Sequence, residues 1–264
     1  MKLRFCLLSL AAVLVAHVGP GAGAAGADEV ALTREAQAAI TPARALQMLK
    51  EGNERFVSGK PTERDLLAQV AETSKGQFPF AAIVSCLDSR IPPELVFDQG
   101  IGDLFVARVA GNIVNDDMLG SLEFATKLSG AKLIVVMGHT ECGAIKGACD
   151  AAQLGLLTAT LASINPAVEA VEGSYSPRTS KNAEFVQAVA EKNVTLTMQK
   201  LRERSVVLRE MIDRKEVGLV GAMYDVGTGK VVFYDGIFAS WHPDPTESPS
   251  SALLRGVERL RLGT

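Results

Sequence analysis

A series of short apolar runs spaced along the middle of the chain restricts the fold more than any other feature. They are Phe78 to Ser85, Leu104 to Val109, Leu133 to Met137, Val217 to Tyr224 and Val231 to Tyr234. Gly102-Asp103 announces the second run and Gly138 closes the third. Continuous apolar runs of this length fit strands buried on both faces. Between them lie stretches with apolar residues at helical spacing, Met118 to Leu128 and Ala183 to Lys215, and another after Cys142 that contains Gly147, a poor helix former. Upstream, Ala31 to Lys60 reads as helical. Thr41-Pro42 resembles an N-cap with proline in the first turn, Ala45, Leu46, Met48, Leu49 and Phe56 form an apolar face, and Gly59 marks the end. Strands alternating with helices predict an α/β fold with a mostly parallel central sheet of four or five strands flanked by helices. Only Asp225 to Lys230, a turn-like segment, separates the last two runs. They therefore predict a hairpin and an antiparallel edge strand.

The ends of the chain have a different character. Lys2 and Arg4 precede an apolar stretch from Phe5 to Val18, and the small-residue run Gly21 to Ala27 holds two A-x-A options. That is the layout of a secretory signal peptide, and its apolar core is shorter than the roughly 20 residues a membrane span needs. An uncleaved anchor is the alternative. The expected organisation is a signal peptide over residues 1–27, a main domain with an N-terminal helical arm over 28–236, and a tail over 237–264. Pro243, Pro245 and Pro249 discourage regular structure in the tail, and Leu253 to Leu262 could form a short helix. The expectation is an exported protein, periplasmic in a Gram-negative source, with no membrane association once the signal is cleaved. A net charge of −3 and a pI of 5.7, without a Lys/Arg block, exclude a dedicated nucleic-acid binder.

Cleavage would leave Cys86, Cys142 and Cys149, with His139 and His242. An odd number of thiols fits a disulfide framework poorly in an oxidising compartment. Cys86 ends the first run, in C-L-D-S-R. His139 and Cys142 follow the third, in G-H-T-E-C-G. Ligand sites in open α/β sheets form beyond the carboxyl ends of the strands. If the two strands are neighbours, two thiolates and an imidazole converge there. Cys2His with one open position is a catalytic zinc pattern, the fourth ligand being water or a nearby carboxylate. Asp88 and Arg90, two residues apart, could pair and keep the carboxylate ionised. Cys149 lies two helical turns beyond Cys142, out of metal-bonding reach, and reads as a buried apolar thiol.

The blocks C-L-D-S-R, R-V-A-G-N and G-H-T-E-C-G, in that order, resemble the β-class carbonic anhydrases over about Gly76 to Gly236. The stretches G-D-L-F-V and S-L-E-F-A match family segments too. The resemblance implies a zinc enzyme, with one Zn2+ per chain, that hydrates carbon dioxide reversibly to bicarbonate and a proton through zinc-bound hydroxide. It implies Cys86, His139 and Cys142 as zinc ligands and Asp88 with Arg90 as the catalytic dyad, Asp88 also being a fourth ligand in a closed state. It implies substrate contacts from Gln77, Phe105, Ala110 and Gly143. Some pocket residues would come from a partner subunit, so a homodimer or higher homo-oligomer is expected.

Three positions depart from the family pattern. Val109 stands where asparagine is often found, and Phe124 where many relatives have tyrosine. Ile83 replaces the tryptophan that, with the arginine matched by Arg108 and a tyrosine, builds an inhibitory bicarbonate site in some relatives. Two thiolates and the nearby Asp88 reduce the positive charge felt by a bound water, which predicts an alkaline activity optimum. His242 is a candidate proton shuttle, although an exposed tail histidine is the plainer account. The rival functions are hydrolysis of carbonyl sulfide or carbon disulfide at the same site, a zinc or redox module without turnover, and a scaffold kept for assembly.

Overall fold

The computed structural model describes residues 31–234. The expected signal peptide, His242 and the tail helix lie outside the described residues.

The apolar runs form one sheet. Its strands are β1 (Ala81–Ser85), β2 (Leu104–Arg108), β3 (Leu133–His139), β4 (Gly218–Tyr224) and β5 (Val231–Phe233). They lie in the order β2-β1-β3-β4-β5. β5 pairs antiparallel with β4, and every other pair is parallel. Every residue of β1, β3 and β4 is buried, as their unbroken apolar character requires. β2 is an edge strand and stays half-exposed. The chain adds β2 on one side of β1 and β3 on the other. The carboxyl ends of β1 and β3 therefore flank the crevice where the strand order reverses, which is where this topology places ligand sites.

The N-terminal helical stretch is two helices, α1 (Arg34–Ala39) and α2 (Pro42–Val57). Proline at 42 drives the preceding residue out of the helical region. Thr41, at φ −90° and ψ 160°, instead caps α2 by accepting from Arg44 N–H. Helix α3 (Leu66–Thr73) and the short α4 (Pro93–Val96) follow on either side of β1. The expected helix from Met118 begins earlier, as α5 (Asp116–Glu123) capped by Asn115, and loosens into a π-helical turn over Phe124–Leu128. After β3 come α6 (Gly143–Cys149), α7 (Leu157–Ala162) and α8 (Asn165–Ala170). The long expected helix divides into α9 (Ala183–Arg204) and α10 (Val206–Asp213). Ser205 is extended at φ −107° and ψ 110°, ends α9, and turns its hydroxyl to accept from Leu208 N–H.

Strand limits shift modestly. The first run enters the sheet at Ala81 because Phe78 and Pro79 precede the ladder, where a proline has no N–H to give. The third run continues through Gly138 to His139. Helix α9 packs across β3 and β4. At Gly138 a Cβ would sit 2.7 Å from Val194 Cγ2, so only glycine lets α9 come this close beside His139. Among the described residues no helix is long and apolar enough to cross a membrane.

Candidate metal centre

Cys86 follows β1 directly, and His139 is the last residue of β3. Ser85 pairs in register with Met137, so the two strand ends lie side by side. Past His139 the chain turns through Glu141, which takes a left-handed φ of 58°, and brings Cys142 to the start of α6. The turn is pinned to β4: Thr140 N–H donates to Tyr224 O at 2.9 Å, and Thr140 Oγ1 accepts from Val226 N–H. The donor atoms of Cys86, His139 and Cys142 consequently lie within 4.8 Å of one another, all buried.

The two sulfurs are 4.0 Å apart. A tetrahedral ion holding sulfur at about 2.3 Å would separate two of them by about 3.8 Å. The imidazole Nδ1 lies 2.9 Å from the Thr140 carbonyl, which accepts its hydrogen. Nε2 is buried with no hydrogen-bond partner. An orphaned lone pair facing two thiols has a physical explanation in a metal ion, since buried polar atoms otherwise find partners. The thiols behave as a pair sharing one negative charge. The hydrogen bond from Cys142 holds Cys86 well below the usual thiol range, against the cost of burial, helped by the Gly111 and Asp88 amides. Cys142 is pushed up by that same bond, by burial and by the charge on Cys86. A bound cation would favour both thiolates.

Asp88 and Arg90 pair as the i, i+2 spacing predicts. Arg90 donates from Nε to Oδ1 at 2.9 Å, from Nη2 to Oδ2 at 2.7 Å, and from its backbone N–H to Oδ1 at 3.0 Å. These bonds, the side-chain ones above all, hold the carboxyl far below the usual carboxylate range, against the cost of burial. Asp88 Oδ2 lies 3.9 Å from His139 Nε2, so the fixed carboxylate borders the donor cluster. Arg108, from β2, donates to the carbonyls of Cys86 at 3.0 Å and Asp88 at 2.6 Å and so braces the loop that carries both.

Ala110 and Gly143 lie at this end of the sheet, Ala110 in the 3-10 turn after β2 and Gly143 directly after Cys142. A side chain on Gly143 would meet open space. Gln77 and Phe105 are not brought to the donors of their own chain. Gln77 precedes β1, whereas Cys86 follows it, and five strand residues span about 17 Å. Phe105 pairs with Ala82, near the amino end of β1, and its ring meets Phe124 edge-on at 6.1 Å. Cys149 is a buried thiol with its pKa raised to about 11 by burial. Two contributors were not singled out in the sequence. Gly111 N–H donates to Cys86 Sγ at 3.3 Å, and Asn193 on α9 donates to Gly111 O. The R-V-A-G-N block marked the first, and nothing in the local pattern marked the second.

A family model described as carbonic anhydrase matches residues 81–231. The chain is 36% identical over 197 residues to carbonic anhydrase 2 of Mycobacterium tuberculosis, covering 74% of this chain and 94% of that protein. The chain belongs to the β-carbonic anhydrase family. A carbonic anhydrase of Mycolicibacterium smegmatis is 33% identical, covering 72% of this chain and 92% of the relative. Among solved structures, the β-carbonic anhydrase CcaA is 28% identical with a TM-score of 0.55, covering 73% of this chain and 96% of its own. The β-carbonic anhydrase CafA of Aspergillus fumigatus is 27% identical with a TM-score of 0.54, covering 82% and 97%. The family match starts at the first residue of β1 and ends at the first of β5, so both donor loops of this β-carbonic anhydrase lie inside it.

Proposed function

We propose that this chain is a zinc-dependent carbonic anhydrase interconverting carbon dioxide with bicarbonate and a proton, binding one zinc per chain through Cys86 Sγ, His139 Nε2 and Cys142 Sγ. The observation that carries it is the convergence of two buried thiols on an unpartnered buried imidazole nitrogen, with an ionised carboxylate fixed beside them. Two sulfurs and one nitrogen suit zinc and leave a fourth position open. Held by Cys86, His139 and Cys142, zinc would acidify a coordinated water and so supply the nucleophile, less strongly than three imidazole ligands would allow because two thiolates reduce its positive charge.

The chain's own residues orient the reaction. Asp88, kept ionised by Arg90, accepts a hydrogen bond from the attacking oxygen and sets its lone pair toward the carbon. Moving Asp88 inward as a fourth ligand would require breaking its two side-chain bonds to Arg90. Gly143 leaves room for substrate beside Cys142, and Ala110 supplies an apolar wall. Gln77 and Phe105 act in the site of a second copy, since each lies at the opposite end of the sheet from its own donors. That placement supports a homodimer or a larger assembly built from it. The charged start, apolar core and small-residue run of residues 1–27 support export, and periplasmic residence in a Gram-negative cell.

Stopped-flow hydration of carbon dioxide by purified protein, with zinc assayed on the same sample and Cys142→Ser alongside, tests this reading. Fast hydration at about one zinc per chain, with zinc and rate both lost in the variant, is expected. Stoichiometric zinc without hydration from neutral to alkaline pH would overturn it.

A further inference from the structure

Asn193 is 2% exposed in the middle of α9, a position where an apolar side chain would avoid the cost of burying an amide. Its Nδ2 donates to the carbonyl of Gly111 at 2.7 Å. Gly111 is the residue whose N–H donates to the Cys86 sulfur at 3.3 Å. The backbone there is unusual. Gly111 has φ 74° and ψ 21°, and Asn112 follows with φ 43°. Gly111 takes this region freely for want of a Cβ, and Asn112 is among the few other residue types that tolerate it, at a modest cost. Space is fixed as well: a Cβ on Gly111 would lie 2.5 Å from Ile164 Cδ1. The turn that aims an N–H at Cys86 is thus pressed by Ile164, the N-cap residue of α8, and tethered by α9. Val194, the next residue of α9, rests on Gly138 beside His139. One helix therefore backs both donor loops through adjacent residues.

We infer that Asn193 is a positioning residue for the metal centre: it locks the Gly111 turn from α9, so that the Gly111 amide stays aimed at the Cys86 thiolate. The inference rests on the metal-site reading above. Partners beyond the ligands orient them, and losing one typically weakens metal binding by about tenfold to a hundredfold. Asn193→Leu keeps a similar volume in the core and removes the donor, and Asn193→Ala serves if leucine does not pack.

Zinc affinity would be measured by chelator competition on wild type and variants, with thermal unfolding of the metal-free proteins recorded in parallel. In the same series, protein loaded with a spin-active cadmium isotope would be examined by NMR for scalar coupling between the metal and the Gly111 amide proton through the sulfur. The expected result is coupling in wild type that disappears in the variants, with affinity lower by about tenfold or more. A lowered melting temperature with unchanged affinity and unchanged coupling would reduce Asn193 to a packing residue and overturn the inference. Absence of the coupling in wild type would overturn it without any variant. Wild type that binds no zinc would sink the metal reading itself, an outcome distinct from wild type and variant binding equally well.

Discussion

At the scale of single residues, the proposed function divides the labour of the centre between atoms that hold an ion and atoms that steer the reaction. It assigns Asp88 to the second group. Its carboxylate is spoken for by Arg90 on both oxygens, yet Oδ2 remains 3.9 Å from His139 Nε2. Asp88→Asn preserves the shape, removes the charge, and puts an NH2 group where an acceptor stood. Orientation and proton-accepting groups contribute on the order of a hundredfold or more. The hydration rate of Asp88→Asn should fall by about that factor while zinc content stays at wild-type level. Stopped-flow rates and a zinc assay on one sample decide it. Equal rates would mean that the carboxylate only braces Arg90. Loss of zinc together with rate would move Asp88 into the ligand set.

At the scale of elements, helices and the loops beside them are tied together by buried polar knots as well as by apolar faces. The tightest joins α2, the segment after it and the turn after α4. Asp98, at φ 45°, receives Arg55 Nε, Arg64 Nη1 at 2.7 Å, and the N–H and hydroxyl of Thr62. Burial opposes the charge, but the guanidinium and Thr62 bonds together outweigh it and bring the pKa down to about 2. A carboxyl depressed in the folded state stabilises the fold above its unfolded pKa, near 3.9, and loses that contribution as pH falls toward about 2. Wild type should therefore lose stability over this window in urea unfolding, and Asp98→Asn should lose less. At neutral pH the variant should be destabilised by about 3 kcal/mol, because two guanidiniums lose the carboxylate they surround. Equal pH slopes for the two proteins would contradict this. Such knots explain what was legible beforehand. The strands, Thr41 as a cap and the meeting of Cys86 with His139 and Cys142 follow from apolar runs, local capping chemistry and strand-end logic. The break at Ser205, the tether from Asn193 and the Asp98 knot depend on which element packs over which, and periodicity carries no trace of that. Gln77 and Phe105 illustrate the same limit: the motif names them, and only the strand direction shows that they sit at the far end from their own donors.

At the scale of the whole molecule, one chain has a donor cluster and lacks two of the groups expected to meet the substrate. Gln77 is exposed and Phe105 half-buried on the edge strand β2, and Phe124 packs against Phe105 at a surface that includes Leu128, 76% exposed. Leucine and phenylalanine so exposed beside an unpaired edge strand are costly in water and suit burial against a second copy. Stable pairing requires about 800 Å² from each partner, with charge kept away from its centre. Leu128→Glu places a carboxylate on that surface without touching the donors or the core. The variant should sediment as a monomer at concentrations where wild type is associated, keep its zinc, and unfold at a similar temperature. Its hydration rate should fall by about tenfold or more, because the partner no longer delivers Gln77 and Phe105 and a change of that size corresponds to about 1.4 kcal/mol of lost transition-state stabilisation. Dilution of wild type should lower its specific activity in step with dissociation. A fully active monomer at every concentration would show that a single chain completes its own pocket, and would force Gln77 and Phe105 out of the proposed site.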